Sequence, residues 1–217
     1  MAYPEYGPGK KDKVNGLGVV VYGGDGTNFY PLKVDSSGNL VLAAGTNLIG
    51  TVSGVQKQVS VTKALAAADD YAAEDVMCEN ATTGVAWTFA AIARANGASG
   101  YITKAHALWE TTALTPRLTL YLFNAAPTTE LDDNKANAAP AFADLAQYVG
   151  KIDFPAMEDL GGMSESVATP STTGNLPLAF TCATAADDLI GILVTRDAIT
   201  GEVATKSMTI RLTIEQY

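Results

Sequence analysis

Apolar and polar residues alternate one by one along several segments of this chain. In residues 117–123, Leu118, Leu120 and Leu122 share one face of an extended chain, and the residues between them share the other. Residues 207–216 repeat the pattern, with apolar side chains at alternate positions. Both patterns predict β-strands that turn one face to a core and the other to solvent, as in an antiparallel sandwich.

From residue 56 onward, nine segments of strand length are bounded by Gly, Pro, Asn or Asp. They are residues 56–62, 74–80, 84–95, 99–110, 116–124, 147–155, 175–182, 188–197 and 207–216. One helix is predicted at 140–147, because Pro140 suits the first turn of a helix. Strands do not alternate with helices, which disfavours a parallel sheet. The predicted fold class is therefore all-β, an antiparallel two-sheet sandwich of the jelly-roll type over residues 57–217.

Residues 1–56 differ from the rest in being rich in glycine, with short apolar runs separated by turn sequences. The stretch "DSSGN" at 35–39 is typical of a hairpin loop. Strands this short cannot enclose a core of their own. We therefore interpret residues 1–56 as an extended N-terminal arm with small hairpins, which is stabilised by lying on another surface and provides assembly contacts.

The composition limits the kinds of partner that the protein can bind. The chain has 217 residues, 47% of them hydrophobic, and a formal net charge of −9. Such a chain repels nucleic acid and anionic lipid, because binding phosphates requires Lys or Arg. The N-terminal residues lack the apolar run of a secretory signal, so we expect synthesis in the cytoplasm. Cys78 and Cys182 lie among small and apolar residues, and we expect two buried, unpaired thiols.

The candidate chemistry is sparse. Glu130, Asp132, Asp133 and Asn134 resemble oxygen ligands for a cation but lack the spacing of a calcium-binding loop, so we interpret them as a solvated connection. The acidic pairs at 158–159 and 187–188 are interpreted in the same way. His106 is the single histidine, and no serine near it stands in a nucleophile motif. We assign no catalytic, metal-binding or cofactor-binding residue and expect that the protein is not an enzyme.

Aromatic residues leave one alternative open. Trp87, Trp109 and Tyr101 could stack against a sugar, although Trp87 in "VAWTFAAIA" is typical of a core position. A glycosidase would need two carboxylates at a defined separation, and the sequence shows no such pair.

The sequence also resembles a family of tailed-bacteriophage structural proteins over residues 29–217. The resemblance is carried by "FYPLKVDSSGNLVLAAGTNLIGTVSG", "VAWTFAAIARANGASGYITKAHAL", "LTPRLTLYLFNAAPT", "DDNKANAAPAFADLAQYVGKIDFP", "NLPLAFTC" and "LIGILVTRDAIT". It implies a virion protein that decorates and cements the capsid from outside by binding the major capsid protein. It also implies a homotrimer and assembly in the host cytoplasm, without nucleic-acid or membrane partners. The alternative is a tail, collar or spike component that binds host surface carbohydrate.

Overall fold

The computed structural model describes residues 22–24, 29–31, 55–66, 70–171, 175–201 and 205–217. The chain divides into two compact units, Met1–Thr51 and Val52–Tyr217. In the first unit, two short strands, Tyr22–Gly24 (β1) and Phe29–Pro31 (β2), pair antiparallel. The other residues of the predicted arm as far as Gly54 lie outside the described residues. They include the expected hairpin at 35–39.

The second unit is built from β-strands. Its described strands are Val55–Ala64 (β3), Trp87–Phe89 (β4), Ser99–Trp109 (β5), Leu118–Phe123 (β6), Tyr148–Phe154 (β7), Glu158–Asp159 (β8), Ser164–Ala168 (β9), Leu178–Thr181 (β10), Leu189–Thr195 (β11) and Ser207–Gln216 (β12). The described residues contain no α-helix, only a 3-10 helix at Phe142–Asp144.

The strands form two antiparallel sheets whose pairings are nested along the chain. The larger sheet has the order β3-β12-β5-β9-β8, with β10 also pairing with β5. The smaller sheet has the order β4-β11-β6-β7. The first strand of the unit thus pairs with the last, β4 with β11, β5 with β9 and β10, and β6 with β7. This confirms the predicted all-β, antiparallel two-sheet sandwich.

The core lies between the two sheets. The inward side chains of β12 and of β6 are completely buried in one hydrophobic cluster, as the alternation predicts: Met208, Ile210, Leu212, Ile214, Leu118, Leu120 and Leu122. Each such side chain contributes roughly 1.5–3 kcal/mol to folding when it leaves water. Strand β11 lies between β4 and β6 and is buried on both faces over most of its length, as its continuous apolar sequence predicts.

The other face of β6 is buried too, and here the prediction of a solvent-facing side is wrong. Thr119 is buried and donates a hydrogen bond to Asp153, with Oγ1 2.9 Å from Oδ1. Tyr121 and Phe123 belong to a second hydrophobic cluster with Val76. The remaining members of that cluster are Ala139, Ile192, Val194, Leu131 and Tyr148. The connections before β4 and between β6 and β7 therefore cover this face, which alternation within β6 cannot reveal.

Two predicted elements are corrected by specific contacts. The helix expected at 140–147 is only the 3-10 helix Phe142–Asp144, because the buried Asp144 carboxyl group accepts hydrogen bonds from Thr128, from the backbone N at 3.0 Å and from Oγ1 at 2.8 Å. The strand expected at 74–80 is reduced to isolated bridges at Asp75 and Val76. Strands β8 and β9 were not expected, since both are short and rich in polar residues.

A β-bulge changes which residues share a face in β5. The register between β5 and β12 shifts between Thr213 and Ile214, which leaves Thr103 without a paired residue. Ile102 therefore points into the core, whereas His106 is only half-buried, on the outer face. Strict alternation along 99–110 predicts that Ile102 and His106 share one face, and this prediction is wrong because an extra residue reverses the alternation.

The buried second face of β6 can be tested with two Phe→Ala substitutions. Phe123 is 0% exposed, so Phe123→Ala should lower the free energy of unfolding by about 3–5 kcal/mol. Phe142→Ala is the matched control, because Phe142 is 89% exposed and its loss should change the free energy by less than about 0.5 kcal/mol. Urea denaturation measures both. Small and equal effects would mean that this face is open.

Candidate functional site

A cleft of about 520 Å³ opens at one end of the sandwich. The start of β5, the start of β7, the end of β10 and the residues that follow β6 and β12 meet there, because antiparallel pairing places these strand ends together. The described lining residues are Ser99, Gly100, Tyr101, Asn124, Tyr148, Val149, Ala179, Phe180, Thr181 and Tyr217. They are aromatic, small or neutral polar, and none of these ten side chains carries a charge.

Two tyrosine rings form the exposed wall of the cleft. Tyr101 is 42% exposed and Tyr217 is 51% exposed. Their ring centroids are 5.8 Å apart and their planes meet at 85°, an edge-to-face pair. The backbone N of Tyr217 donates to the Ser99 carbonyl at 3.1 Å, and the Tyr217 hydroxyl donates to Glu215 at 3.1 Å. These bonds hold the pair in place.

A cluster of neutral polar groups completes the rim. The Ser99 and Thr181 hydroxyl oxygens are 3.0 Å apart, and Asn124 Nδ2 donates to the Thr181 carbonyl at 3.2 Å. The backbone N of Asn124 donates to the Gln147 carbonyl at 2.9 Å. One hydrogen bond therefore holds the Asn124 backbone and another holds its side chain, and the amide oxygen is left to accept a hydrogen bond from a ligand.

Backbone irregularities shape the floor. The register between β6 and β7 shifts between Leu122 and Phe123, so that Val149 is the extra residue and stands beside Tyr148 at the rim. At Gly100, a Cβ atom would lie 2.6 Å from the Glu215 carbonyl oxygen and 2.8 Å from the Phe180 ring. Only glycine lets Phe180 lie this close to β5.

Two phenols of the cleft stay uncharged near neutral pH. Burial raises the pKa of Tyr148. The hydrogen bond to Glu215 raises the pKa of Tyr217. Both phenols therefore remain protonated and can donate hydrogen bonds. Neutral donors and acceptors beside aromatic rings suit reversible binding rather than proton transfer or nucleophilic attack.

The structure places only one of the three aromatic candidates in this cleft. Tyr101 lies there, whereas Trp87 and Trp109 are buried in the core. The Trp87 indole donates to the Met77 carbonyl at 3.0 Å, which confirms the expectation of a core position. Tyr148 and Tyr217 were missed, since they reach the cleft through strand pairing and a bulge rather than through any local motif.

The acidic stretch at 130–134 is not simply a solvated loop. Asp133 is 1% exposed. Its carboxyl group accepts hydrogen bonds from the Tyr71 hydroxyl at 2.9 Å and from the Cys78 backbone N at 2.6 Å. Glu130, by contrast, is exposed. The prediction of a wet connection is therefore wrong for Asp133, which fastens the connection between β6 and β7 to the segment before β4.

Neighbouring contacts strengthen this attachment. The backbone N of Gly84 donates to Asp132 Oδ1 at 2.7 Å. A Cβ atom on Gly84 would lie 1.9 Å from the Leu131 carbonyl oxygen, so only glycine allows the two segments to approach so closely. The Cys78 thiol donates to the same carbonyl oxygen at 2.9 Å. The acidic stretch thus has a structural role in joining two connections.

The other candidate residues lie apart from the cleft. His106 Nδ1 is 2.8 Å from Glu165 Oε1 on the outer face of the larger sheet. Glu158 and Asp159 are exposed on β8, and Asp187 and Asp188 are half-buried. In the part of the chain that the structure describes, no group of three or more His, Cys, Asp or Glu residues is placed to hold a metal ion.

Both cysteines are buried, as expected. Burial raises the pKa of the Cys78 thiol to about 11. Burial likewise raises the pKa of the Cys182 thiol to about 11. Neither thiol is therefore activated as a nucleophile near neutral pH, because the thiolate is the reactive form.

Within the described ranges, no helix is both long and apolar enough to cross a membrane. No protein-family model matches the chain, and a search of curated proteins finds no match.

The role of Asp133 gives a direct test of stability. Asp133→Ala should lower the free energy of unfolding by about 2 kcal/mol or more, because it removes the charged acceptor of two buried hydrogen bonds, those from Tyr71 and Cys78. Glu130→Ala is the control from the same acidic stretch, and its effect should stay within about 0.5 kcal/mol. Thermal and urea denaturation measure both variants. Equal effects would show that Asp133 makes no special contribution.

Proposed function

We propose that this protein is a structural component of a bacteriophage virion that decorates and stabilises the capsid by binding the major capsid protein. The resemblance to phage structural proteins supports the proposal. Its motifs cover β2, β4, β6, β7, β10 and β11 and nearly all of β5. The resemblance therefore involves the strands that build both sheets.

We further propose that the sandwich is a jelly roll. Nested pairing supports this assignment: β3 with β12, β4 with β11, β5 with β9 and β10, and β6 with β7. Four such nested pairs distributed over two sheets give the eight-stranded arrangement found in many viral capsid proteins. In this view β9 and β10 together take the place of one strand, and β8 is a short extension at the edge.

The observation that carries the binding proposal is the exposure of large apolar side chains on two turns. Phe142 and Leu145 are exposed on and just after the 3-10 helix. Leu160 and Met163 are exposed at the turn between β8 and β9, where the Leu160 backbone N donates to the Met163 carbonyl at 2.9 Å. Grouped apolar side chains outside a well-packed core are typical of protein contact surfaces.

The charge of the chain is consistent with a protein partner. A net charge of −9 opposes contact with packaged DNA. The apolar turns contribute to binding by leaving water, which requires no complementary charge. On this proposal the protein sits on the capsid exterior as a trimer, adds contact area to the shell and so resists internal pressure.

The proposal assigns further capsid contacts to residues 1–56. Most of this segment belongs to the first unit, Met1–Thr51. When a segment becomes ordered on binding a partner, the cost of ordering reduces the net binding free energy, but the segment can cover a large surface. The arm would then extend the contact area on the capsid, and the exposed side chains of the two apolar turns would anchor the sandwich.

A capsid-binding assay tests both parts of the proposal. Purified protein is added to capsids that lack it, and bound protein is measured by co-sedimentation. Phe142→Ser combined with Leu160→Ser should weaken binding at least about tenfold, as expected for loss of anchoring side chains. Val85→Ser is the matched control, because Val85 is also exposed and apolar but lies on neither turn. Circular dichroism checks that each variant is folded.

The same assay tests the arm. A chain that begins at Val52 keeps all of β3 and should fold, but it should lose capsid binding. Full occupancy by this truncated chain would remove the arm from the proposal. Full occupancy by the double turn variant would remove the turns.

A further inference from the structure

The cleft between the ends of β5, β7 and β10 has no role in capsid binding as proposed above. We propose that this cleft is a binding site for a neutral hexopyranose unit of a glycan. The inference is independent of capsid decoration, since none of the residues that line the cleft belongs to either apolar turn. It rests on the size, composition and geometry of the cleft.

The size and composition fit a small polar ligand. The volume of about 520 Å³ lies within the range of about 300–1,000 Å³ that is usual for ligand pockets. The described lining combines tyrosine with serine, glycine, asparagine and threonine. Antibody combining sites use nearly the same residues, because tyrosine offers a rigid amphipathic surface and the small polar residues offer hydrogen bonds.

The two exposed rings suit the shape of a pyranose. One side of a hexopyranose often presents several C–H bonds that pack against an aromatic ring, while its hydroxyl groups point outward around the edge. Tyr101 and Tyr217 meet at 85° with centroids 5.8 Å apart. A sugar can therefore lie on the face of one ring and touch the second, with both phenol groups near its hydroxyls.

The residues that line the cleft also carry unused hydrogen-bonding groups. Within the described residues, the Tyr101 hydroxyl, the Tyr148 hydroxyl and the Asn124 amide oxygen have no hydrogen-bond partner. The hydroxyls donate and accept, and the amide oxygen accepts. Sugar hydroxyls also donate and accept, so each of these three groups can be matched by a ring substituent.

The charge pattern favours a neutral sugar over an acidic one. None of the ten lining side chains is a cation that could pair with a carboxylate. Glu215 is held beside the rim by the Tyr217 hydroxyl. An acidic sugar would lose solvation at this site without gaining a counter-charge, so its binding should be weaker.

A proline-rich peptide is the competing ligand class, because such peptides dock on aromatic surfaces. A polyproline helix needs a row of rings that line a groove. Here the two exposed rings stand perpendicular to each other, which leaves a short corner rather than a groove. The geometry therefore favours a compact ring-shaped ligand.

The test is a titration of the folded full chain, followed by amide chemical shifts in NMR spectra. The probes are maltotriose, cellotriose, N-acetylglucosamine trisaccharide, galactobiose, sialyllactose and a proline hexapeptide. We expect at least one neutral saccharide to bind with a dissociation constant of about 1 mM, the strength available to a small ligand on an open site. Sialyllactose should bind more weakly than the best neutral probe.

Variants connect that binding to the cleft. Tyr101→Ala and Tyr217→Ala should each weaken binding at least about tenfold, which is the effect of losing one stacking contact. Tyr101→Phe keeps the ring and loses only the hydroxyl, so it should weaken binding less than Tyr101→Ala does, and it remains informative if an alanine variant fails to fold. Phe142→Ala is the matched control, because it removes an exposed aromatic ring that does not line the cleft and should leave sugar binding unchanged.

Three results would overturn the proposal. One is the absence of saturable shifts with all four neutral saccharides. Another is binding that Phe142→Ala weakens as much as Tyr101→Ala does. The third is binding of the proline hexapeptide alone at the cleft. None of these results bears on capsid decoration, which depends on the apolar turns and the arm.

Discussion

The nested pairing of strands is the constraint on which the rest of this structure depends. Strand β12 lies between β3 and β5, so residues more than 100 positions apart in the chain share one sheet. The inward face of β12 then meets the inward face of β6 in a single hydrophobic cluster. The same pairing brings Tyr101, Thr181 and Tyr217 to one end of the sandwich, where the cleft opens. Core and candidate site are therefore two results of one arrangement.

Much of the fold could be predicted because alternation is a strong local signal. Residues 207–216 were predicted as a strand with Met208, Ile210, Leu212 and Ile214 inward, and β12 has those bounds and that burial. The errors arose where distant residues determine the outcome. The second face of β6 is covered by connections that the strand sequence does not encode, and the bulge at Thr103 reverses the alternation in β5. The short strand β9, "SESVA", forms because β5 offers it an edge.

The candidate site was harder to predict than the fold. Tyr101 could be singled out as an aromatic residue, but its partner Tyr217 is 116 positions away and meets it only through the pairing of β5 with β12. The acidic stretch at 130–134 misled in another way. Its composition indicates side chains that contact solvent or a cation, whereas Asp133 is buried and accepts hydrogen bonds from Tyr71 and Cys78. Local composition cannot distinguish a buried acidic residue from an exposed one, because its burial depends on which distant segment packs over it.

The uncharged side chains of the cleft, the exposed apolar side chains on two turns and the N-terminal unit are the features from which binding is proposed. Capsid decoration and a tail or spike role predict different copy numbers in the virion. A cementing protein must cover the shell, whereas a receptor-binding protein is confined to a few positions. Counting copies in intact particles by gel densitometry, with their position determined by electron cryomicroscopy, is the most direct measurement. Decoration requires copy numbers comparable to those of the major capsid protein, on the outer surface of the shell. A few copies confined to the tail would contradict it.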